Sequence, residues 1–449
     1  MKQQDPNFRK DDIERLIQLA RSAESASIIG VSGVGKSNLF HHLLDPAIQQ
    51  HYLKTDYANH YIFVKVNFHY APDFEDRSIY SIILEQLEDL EAQNDRFQYS
   101  DKDFQAIRDH HNKLIDAGDD LLKVQRHFKL AVRILMRRPE QKLVLVFDQF
   151  DDLYRHARAT LFSALRGLRE TYKYRLCYFL FTRNPLISMA DNDDLHRDEF
   201  YELVSAHILG LKPYKLDDSR RLLHRVAKRK GWVIGDDGLV RLYHNLTGGH
   251  AGLLRASFIA AFEDENIQVS RTKSTNANAD KLLENQNVKS ECRKLHDGLP
   301  MQESQMLELQ TYHNAGRMNL AVNYLKLRGI LTSAEHGRLR VFSPIFRRYL
   351  ESLHNDDTQT LRVNTERRTI WIANREVGPI TQTDFRVFLE LYNNMDDLVT
   401  YEQLGRAGWP SQSLETARRL VDNAAKRLND ALGTPLIQKV GQQGYRLER

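Results

Sequence analysis

The chain has 449 residues, 41% hydrophobic and 28% charged, with a net charge of +4. That length exceeds what one core usually serves and implies roughly two to four domains, while the mild positive balance is compatible with nucleic acid without demanding it. Two cysteines, Cys177 and Cys292, exclude a disulfide framework and a cysteine-rich zinc site.

The opening segment, MKQQDPNFRKDDIERL, lacks the apolar stretch of a signal peptide. No run approaches the ~18 apolar residues that cross a bilayer. A cytoplasmic protein without a membrane partner is therefore expected.

In chain order, the amphipathic helix DDIERLIQLARSA leads to the apolar strand ASIIG, a glycine-rich turn and a helix starting near Lys36. The strand YIFVKVNFHY and the helical SIYSIILEQLEDL follow, then a charged, mostly helical stretch over 92–140. Next come the strand KLVLVF, the helix ARATLFSALRGLRETY, and the strands LCYFLFT and HILGLK. Apolar strands alternating with helices predict an α/β fold, a parallel sheet covered by helices on both faces. Residues 1–214 form this core, and 215–263 read as a helical lid. The polar stretch DENIQVSRTKSTNANAD has no apolar period, so 264–283 is expected to be a linker. Residues 284–353 end in a helix–strand–turn–strand–helix pattern, the outline of a winged helix. A second linker over 354–361 precedes a C-terminal domain at 362–449.

The segment GVSGVGKS, Gly30 to Ser37, satisfies G-x-x-x-x-G-K-S/T between a strand and a helix. Its glycines let backbone N–H groups turn inward as an anion nest at a helix N-terminus. Lys36 supplies a charge for the β and γ phosphates, and Ser37 a hydroxyl for Mg²⁺. The nucleotide-binding set is thus Gly30, Ser32, Gly33, Val34, Gly35, Lys36, Ser37 and Asn38, with ATP or ADP as ligand. Downstream, LVLVFDQFDDL ends a buried strand at Asp148, which can hold Mg²⁺ together with Ser37. Gln149 can orient a water but cannot take its proton, and a general base is worth roughly 10²–10⁴ in rate. Asp151 or Asp152 could supply the missing carboxylate; alternatively both are solvated turn acids. Weak ATPase activity is expected.

The succession FRKDDIERL, GVSGVGKS, LVLVFDQFDDL, FLFTRNP, HILGLK and LTGGHAGLLR resembles the STAND and origin-recognition-like branches of the AAA+ ATPases over roughly residues 8–262. The resemblance implies that Arg183, in Thr182-Arg183-Asn184, senses the γ phosphate, and that Arg255 is a second phosphate sensor. A surface ion pair for Arg183 and a helix-surface position for Arg255 are the plainer readings. Two departures stand out: Ala251 occupies a position where relatives usually have proline, and Gln149 one where many have glutamate.

Residues 362–449, with QTDFRVFLELYNN, LVTYEQLGRAGWP, SLETARRLVDNAAKRLNDALG and LIQKVGQQGYRLE, resemble the OmpR/PhoB-type winged helix-turn-helix. That family lays its third helix in the major groove and its wing on the backbone. On the third helix Leu420, Ala424 and Leu428 are expected in the core. Arg418, Arg419, Asn423, Lys426 and Arg427 on that helix, with Lys439 and Arg446 in the wing, are the candidate contacts to double-stranded DNA. So few cations imply weak binding by one copy and a homo-oligomer on DNA.

The expected function is an ATP-binding switch controlling DNA binding, as a nucleotide-dependent transcriptional regulator. The alternatives are an ATP-dependent DNA-handling or loading factor (origin-recognition-like, a transposition helper or an anti-phage ATPase), and an ATPase scaffold whose winged units contact proteins.

Overall fold

Five short apolar segments, β1 (Ala26–Ile29), β2 (Tyr61–Asn67), β3 (Lys142–Asp148), β4 (Leu176–Thr182) and β5 (Ile208–Gly210), pair entirely in parallel in the order β2-β3-β4-β1-β5. Near-continuous runs such as Leu143–Phe147 and Leu176–Thr182 are buried on both faces, as a helix-covered parallel sheet requires. The structure, a computed structural model, describes residues 5–54, 60–68, 71–93, 97, 99–189, 195–234, 237–313, 319–334, 338–356, 361–364, 369–372, 375–377, 380–395, 397–410, 412–432 and 435–447. The chain divides into two compact units, Met1–Tyr349 and Leu350–Arg449.

The register matters for function. Ile29 lies opposite Thr182 and Asn67 opposite Asp148, so the carboxyl ends of β1, β3 and β4 form one edge. Ligands of open α/β sheets bind at such an edge, where strand order reverses. Beneath β2–β4 a dense core includes Phe147, Phe150, Phe162, Tyr178 and Phe200. Phe147 and Phe150 stack with centroids 5.9 Å apart, which anchors the chain immediately before and after the turn at Asp148–Gln149.

The lid comprises the helices Leu216–Lys230, Asp237–Thr247 and Ala251–Glu263, which pack through Leu223, Val240, Tyr243, Leu254 and Phe258. The stretch expected to be a linker differs: Thr275–Leu283 is a helix, with Ser274 Oγ accepting from Ala277 N at 3.2 Å. Its apolar face is only Ala279 and Leu282, and the third buried position is Asn278, whose amide hydrogen-bonds Ser270 and Lys273. A polar residue thus stands where the period needs an apolar one. Helices Gln286–Asp297, Met301–Glu308 and Leu320–Leu327 follow, then β6 (Leu331–Ser333) antiparallel to β7 (Leu339–Val341) and helix Pro344–Asp356. The expected turn at 335–337 lies outside the described residues. Of the second expected linker, 354–356 belong to that helix and 357–360 lie outside the described residues.

In the C-terminal unit, β8 (Leu361–Asn364), β9 (Thr369–Ile372) and β10 (Arg375–Glu376) form an antiparallel sheet. Three helices, Gln382–Asn393, Tyr401–Gly408 and Leu414–Leu432, and a second sheet of β11 (Val399–Thr400), β13 (Gly444–Leu447) and β12 (Ile437–Val440) complete it. The third helix turns Ala417, Val421, Ala424, Ala425, Leu428 and Leu432 inward. Leu420, expected in the core, is only half-buried. Val421 takes its place because the chain winds at 3.6 residues per turn and the alanines at 417 and 424 shift the stripe.

Candidate functional site

The glycine-rich loop leaves β1 at Gly30, whose N–H donates to Thr182 O at 3.0 Å, and ends where helix Lys36–Leu43 begins. Gly33 (φ 75°) and Gly35 (φ 99°) occupy the left-handed region, where a side chain is strained. A Cβ at these positions would also meet His250 Cε1 at 2.7 Å and Tyr214 Oη at 2.6 Å.

Three successive loop carbonyls are held by other parts of the chain. Ser32 O accepts from His250 Nε2 at 2.8 Å, Gly33 O from the N–H of Gly252 at 2.9 Å, and Val34 O from Arg9 Nη2 at 2.7 Å. In a trans peptide the N–H points opposite to the carbonyl. The N–H groups of Gly33 and Gly35 are therefore turned the other way, and both glycines line a cavity. His250 is suited to this because its Nδ1 accepts from Leu253 N at 3.3 Å, which leaves Nε2 as the donor. Burial holds its pKa down to about 4, so the ring stays neutral. Arg9 is equally committed: its guanidinium lies 4.6 Å from the Tyr214 ring centroid and donates to Lys212 O and Asp12 as well.

The cavity has a volume of about 790 Å³. Its wall takes Leu222, Arg225, Val226 and Arg229 from the first lid helix, Ala251, Gly252 and Arg255 from the third, and Arg293, Lys294 and Asp297 from helix Gln286–Asp297. With Lys36 and Arg183, seven cations line it beside one lining carboxylate, Asp297, and one of the seven, Lys294, is paired with Glu291 at 2.8 Å. Lys36 Nζ hydrogen-bonds Gly30 O and, at 3.3 Å, Val31 O. Burial lowers its pKa to about 8, opposed by Asp151 and Asp148 and assisted by Arg183 and Arg328. An anion placed among these groups recovers the energy lost by crowding like charges in a partly dry site.

Ser37, Asn38, Arg183 and Arg255, all candidates from the sequence, line this cavity together with Ser32, Gly33, Gly35 and Lys36. Asn38 donates to the Tyr214 hydroxyl at 2.9 Å. Gly30 and Val34 are buried in the loop itself. Asp148 is half-buried at the end of β3, accepts from Gln149 N at 3.0 Å, and has its pKa raised by burial. Ser37 and Asp148 are oxygen donors of the kind hard Mg²⁺ takes. Thr182 Oγ1, at the end of β4, is buried without a hydrogen-bond partner among the described residues, so a polar group is left for a ligand at this edge. The residues present fit a Mg²⁺–nucleotide.

The acids after β3 take different places from those the motif suggested. Asp151 is buried and accepts the backbone N–H of Arg183 at 2.9 and 3.1 Å and of Asn184 at 3.3 Å. Its carboxylate ties the turn after β3 to the mouth of β4. Asp152 is exposed and lies 3.6 Å from Arg155. Gln149 adopts φ 55°, ψ 43° at the start of helix Phe150–His156, a left-handed conformation that costs a non-glycine residue roughly 1 kcal/mol. Arg328, a fully buried cation paired with Glu303, donates to Arg183 O and Asn184 Oδ1 at 3.4 Å. The expected phosphate sensor is thus held from behind on two sides. Arg9, Tyr214, His250, Arg225, Arg229, Arg293 and Lys294 carry no motif of their own in the sequence, apart from Arg9 and His250 standing in the stretches FRK and GGHAG.

In the C-terminal unit the candidate DNA contacts separate into two groups. Arg419, Asn423 and Lys426 are exposed at i, i+4 and i+7 of the third helix, on one face. Arg418 is exposed beside them, its guanidinium 5.5 Å from the Tyr401 ring. Arg427 instead forms a two-pronged pair with the buried Asp384, at 2.6 and 2.9 Å. Lys439 binds Asp422 at 3.1 Å, and the Tyr401 and Tyr445 hydroxyls donate to the same carboxylate. Arg446 is half-buried in β13.

Residues 7–179 match the family described as the AAA ATPase domain. No curated protein matches the sequence. Among solved structures, the chain is similar to the Walker-type ATPase PABY2304 of Pyrococcus abyssi, with 11% identity, TM-score 0.44, and 77% of this chain and 96% of that one covered. It is also similar to the ORC2 protein of Aeropyrum pernix in ADPNP–ADP complexes, with 16% identity, TM-score 0.40, and coverage of 78% and 93%. For the ORC1 protein of Aeropyrum pernix in complex with DNA the values are 13%, 0.36, 77% and 92%. No helix among the described residues is long and apolar enough to cross a membrane.

Proposed function

We propose that the protein is an ATP-binding switch with slow hydrolysis that controls DNA binding by its C-terminal unit, as a nucleotide-dependent transcriptional regulator. One observation carries the first half: seven cations line a single cavity at the carboxyl edge of the sheet together with Gly33 and Gly35, whose N–H groups lie on the side of the loop opposite its tethered carbonyls. In this reading Lys36 and those N–H groups hold the β and γ phosphates, and Arg183 and Arg255 read the γ phosphate. Leu222 and Val226 provide the apolar wall for the base. Ser37 and Asp148 hold Mg²⁺, whose chemistry is to neutralise charge developing on the phosphates. Gln149 orients the attacking water without removing its proton.

The DNA half is supported by the single polar face of Arg419, Asn423 and Lys426, whose side chains suit base edges and phosphates. With Arg427 and Lys439 engaged in ion pairs, phosphate contacts from one copy are few, which favours several protomers side by side on DNA. The test is DNA binding against salt with ADP, with ATP, and for Lys36→Ala. A short preferred sequence whose affinity depends on nucleotide is expected. Nucleotide affinity unaffected by Lys36→Ala would end the phosphate-loop assignment. Length-dependent, sequence-indifferent binding would replace the regulator with a DNA-handling factor.

A further inference from the structure

Arg328, which follows helix Leu320–Leu327, is among the largest fully buried side chains of the described residues. Its seat is fixed by close packing. A Cβ at Gly210 in β5 would come within 2.1 Å of Leu327 O, so the end of that helix lies directly against the edge of the sheet. Each guanidinium nitrogen is committed. Nε donates to Tyr324 O at 3.2 Å, and Nη2 to the buried carboxylate of Glu303 in helix Met301–Glu308. Nη1 donates to Arg183 O and to Asn184 Oδ1, at 3.4 Å each.

Stability does not account for an arginine at this position. The desolvation of a buried ion pair offsets most of its attraction, and well-packed apolar residues of similar volume stabilise such places as well or better. A guanidinium alone offers a rigid fork of donors that reaches three segments at once. Asp151 accepts the N–H of Arg183 while Arg328 donates to its carbonyl, so both backbone polar groups of Arg183 are held by charged side chains. The Arg183 side chain therefore lines the phosphate-loop cavity from a fixed backbone. We propose that Arg328 is a positioning residue for Arg183, through which the helices beyond the lid set the preference of the site for ATP over ADP. This rests on the reading of Arg183 as the γ-phosphate sensor. ADP has no γ phosphate, so its affinity, set by Lys36 and the glycine-rich loop, does not depend on Arg328.

The experiment is calorimetric titration of the full chain with ADP and with a non-hydrolysable ATP analogue, beside thermal melting. Arg328→Ala alone would leave Glu303 buried and unpaired and is expected to unfold. The test variant is therefore Arg328→Met/Glu303→Met, which removes both charges and keeps the volume. The wild type should prefer the analogue at least about tenfold, the worth of a charged hydrogen bond to the γ phosphate. The double variant should melt close to the wild type and bind ADP as before, with the preference reduced to about twofold or less. Arg328→Lys, which keeps a charge for Glu303 but not the fork, should lose most of the preference too. Wild-type preference in either variant would overturn the proposal, and so would an equal loss of affinity for both nucleotides, the mark of a purely structural role. Arg183→Ala separates this failure from that of the underlying reading. Preference lost in Arg183→Ala but kept in the Arg328 variants refutes the role of Arg328 alone, whereas preference kept in Arg183→Ala refutes the sensor reading itself.

Discussion

Replacing Asp151 by alanine removes the acceptor for the backbone N–H groups of Arg183 and Asn184. Hydrogen bonds to a charged group contribute about 1.5–3 kcal/mol each, and unpaired buried donors add a penalty. The carboxylate's own desolvation on folding offsets part of this. A net loss of about 3 kcal/mol follows, and for a unit of this size the melting temperature should drop by ~5 °C. Because those two N–H groups fix the strand mouth that positions Arg183, ATP affinity should weaken in parallel. Asp151→Asn keeps the shape and one carbonyl acceptor, so it should recover about half of the lost stability. Thermal unfolding by circular dichroism, nucleotide binding and steady-state phosphate release would be measured on the same variants. If Asp151→Ala melted at the wild-type temperature while turnover fell a hundredfold or more, Asp151 would be the general base and the tethering role wrong.

Lys36, with its pKa lowered to about 8, is still charged at pH 7 and loses its proton above pH 8. Nucleotide binding must then restore that proton, so affinity should fall by up to about tenfold per pH unit above 8; Lys36→Arg should flatten the profile measured by fluorescent-nucleotide titration. Gln149→Glu supplies a carboxylate where the sequence has an amide, and phosphate release should rise by roughly 10²-fold; an unchanged rate would place the base elsewhere. In the C-terminal unit, Arg427→Ala should lower stability by about 1–2 kcal/mol in urea unfolding, because Asp384 is left buried and unpaired, and should leave the salt dependence of DNA binding intact. Lys426→Ala should do the reverse, changing stability by less than about 0.5 kcal/mol and reducing the salt slope by about one.

The parallel sheet and the phosphate loop were legible in the sequence because their determinants are local. Apolar runs at strand length, glycines at 33 and 35 and a lysine–serine pair opening a helix dictate nearly the same backbone wherever they occur. Helix Thr275–Leu283 was not legible, since a buried asparagine answered by the backbone has no signature in hydrophobic period. The charged residues were the least legible. Asp151 meets its partner 32 positions away and Arg427 meets Asp384 43 positions away, and neither separation is marked by spacing or composition. The cavity's cations come from the loop, from the end of β4, from two lid helices and from the helix beyond the lid. Sequence alone therefore determined the parallel strands, most of the helices and the glycine-rich loop that is the candidate phosphate site. Which acids bind backbone, which arginines remain available, and how many cations surround the site were decided only by tertiary structure, because a side chain's charge has no fixed role until folding sets its neighbours and its exposure to water.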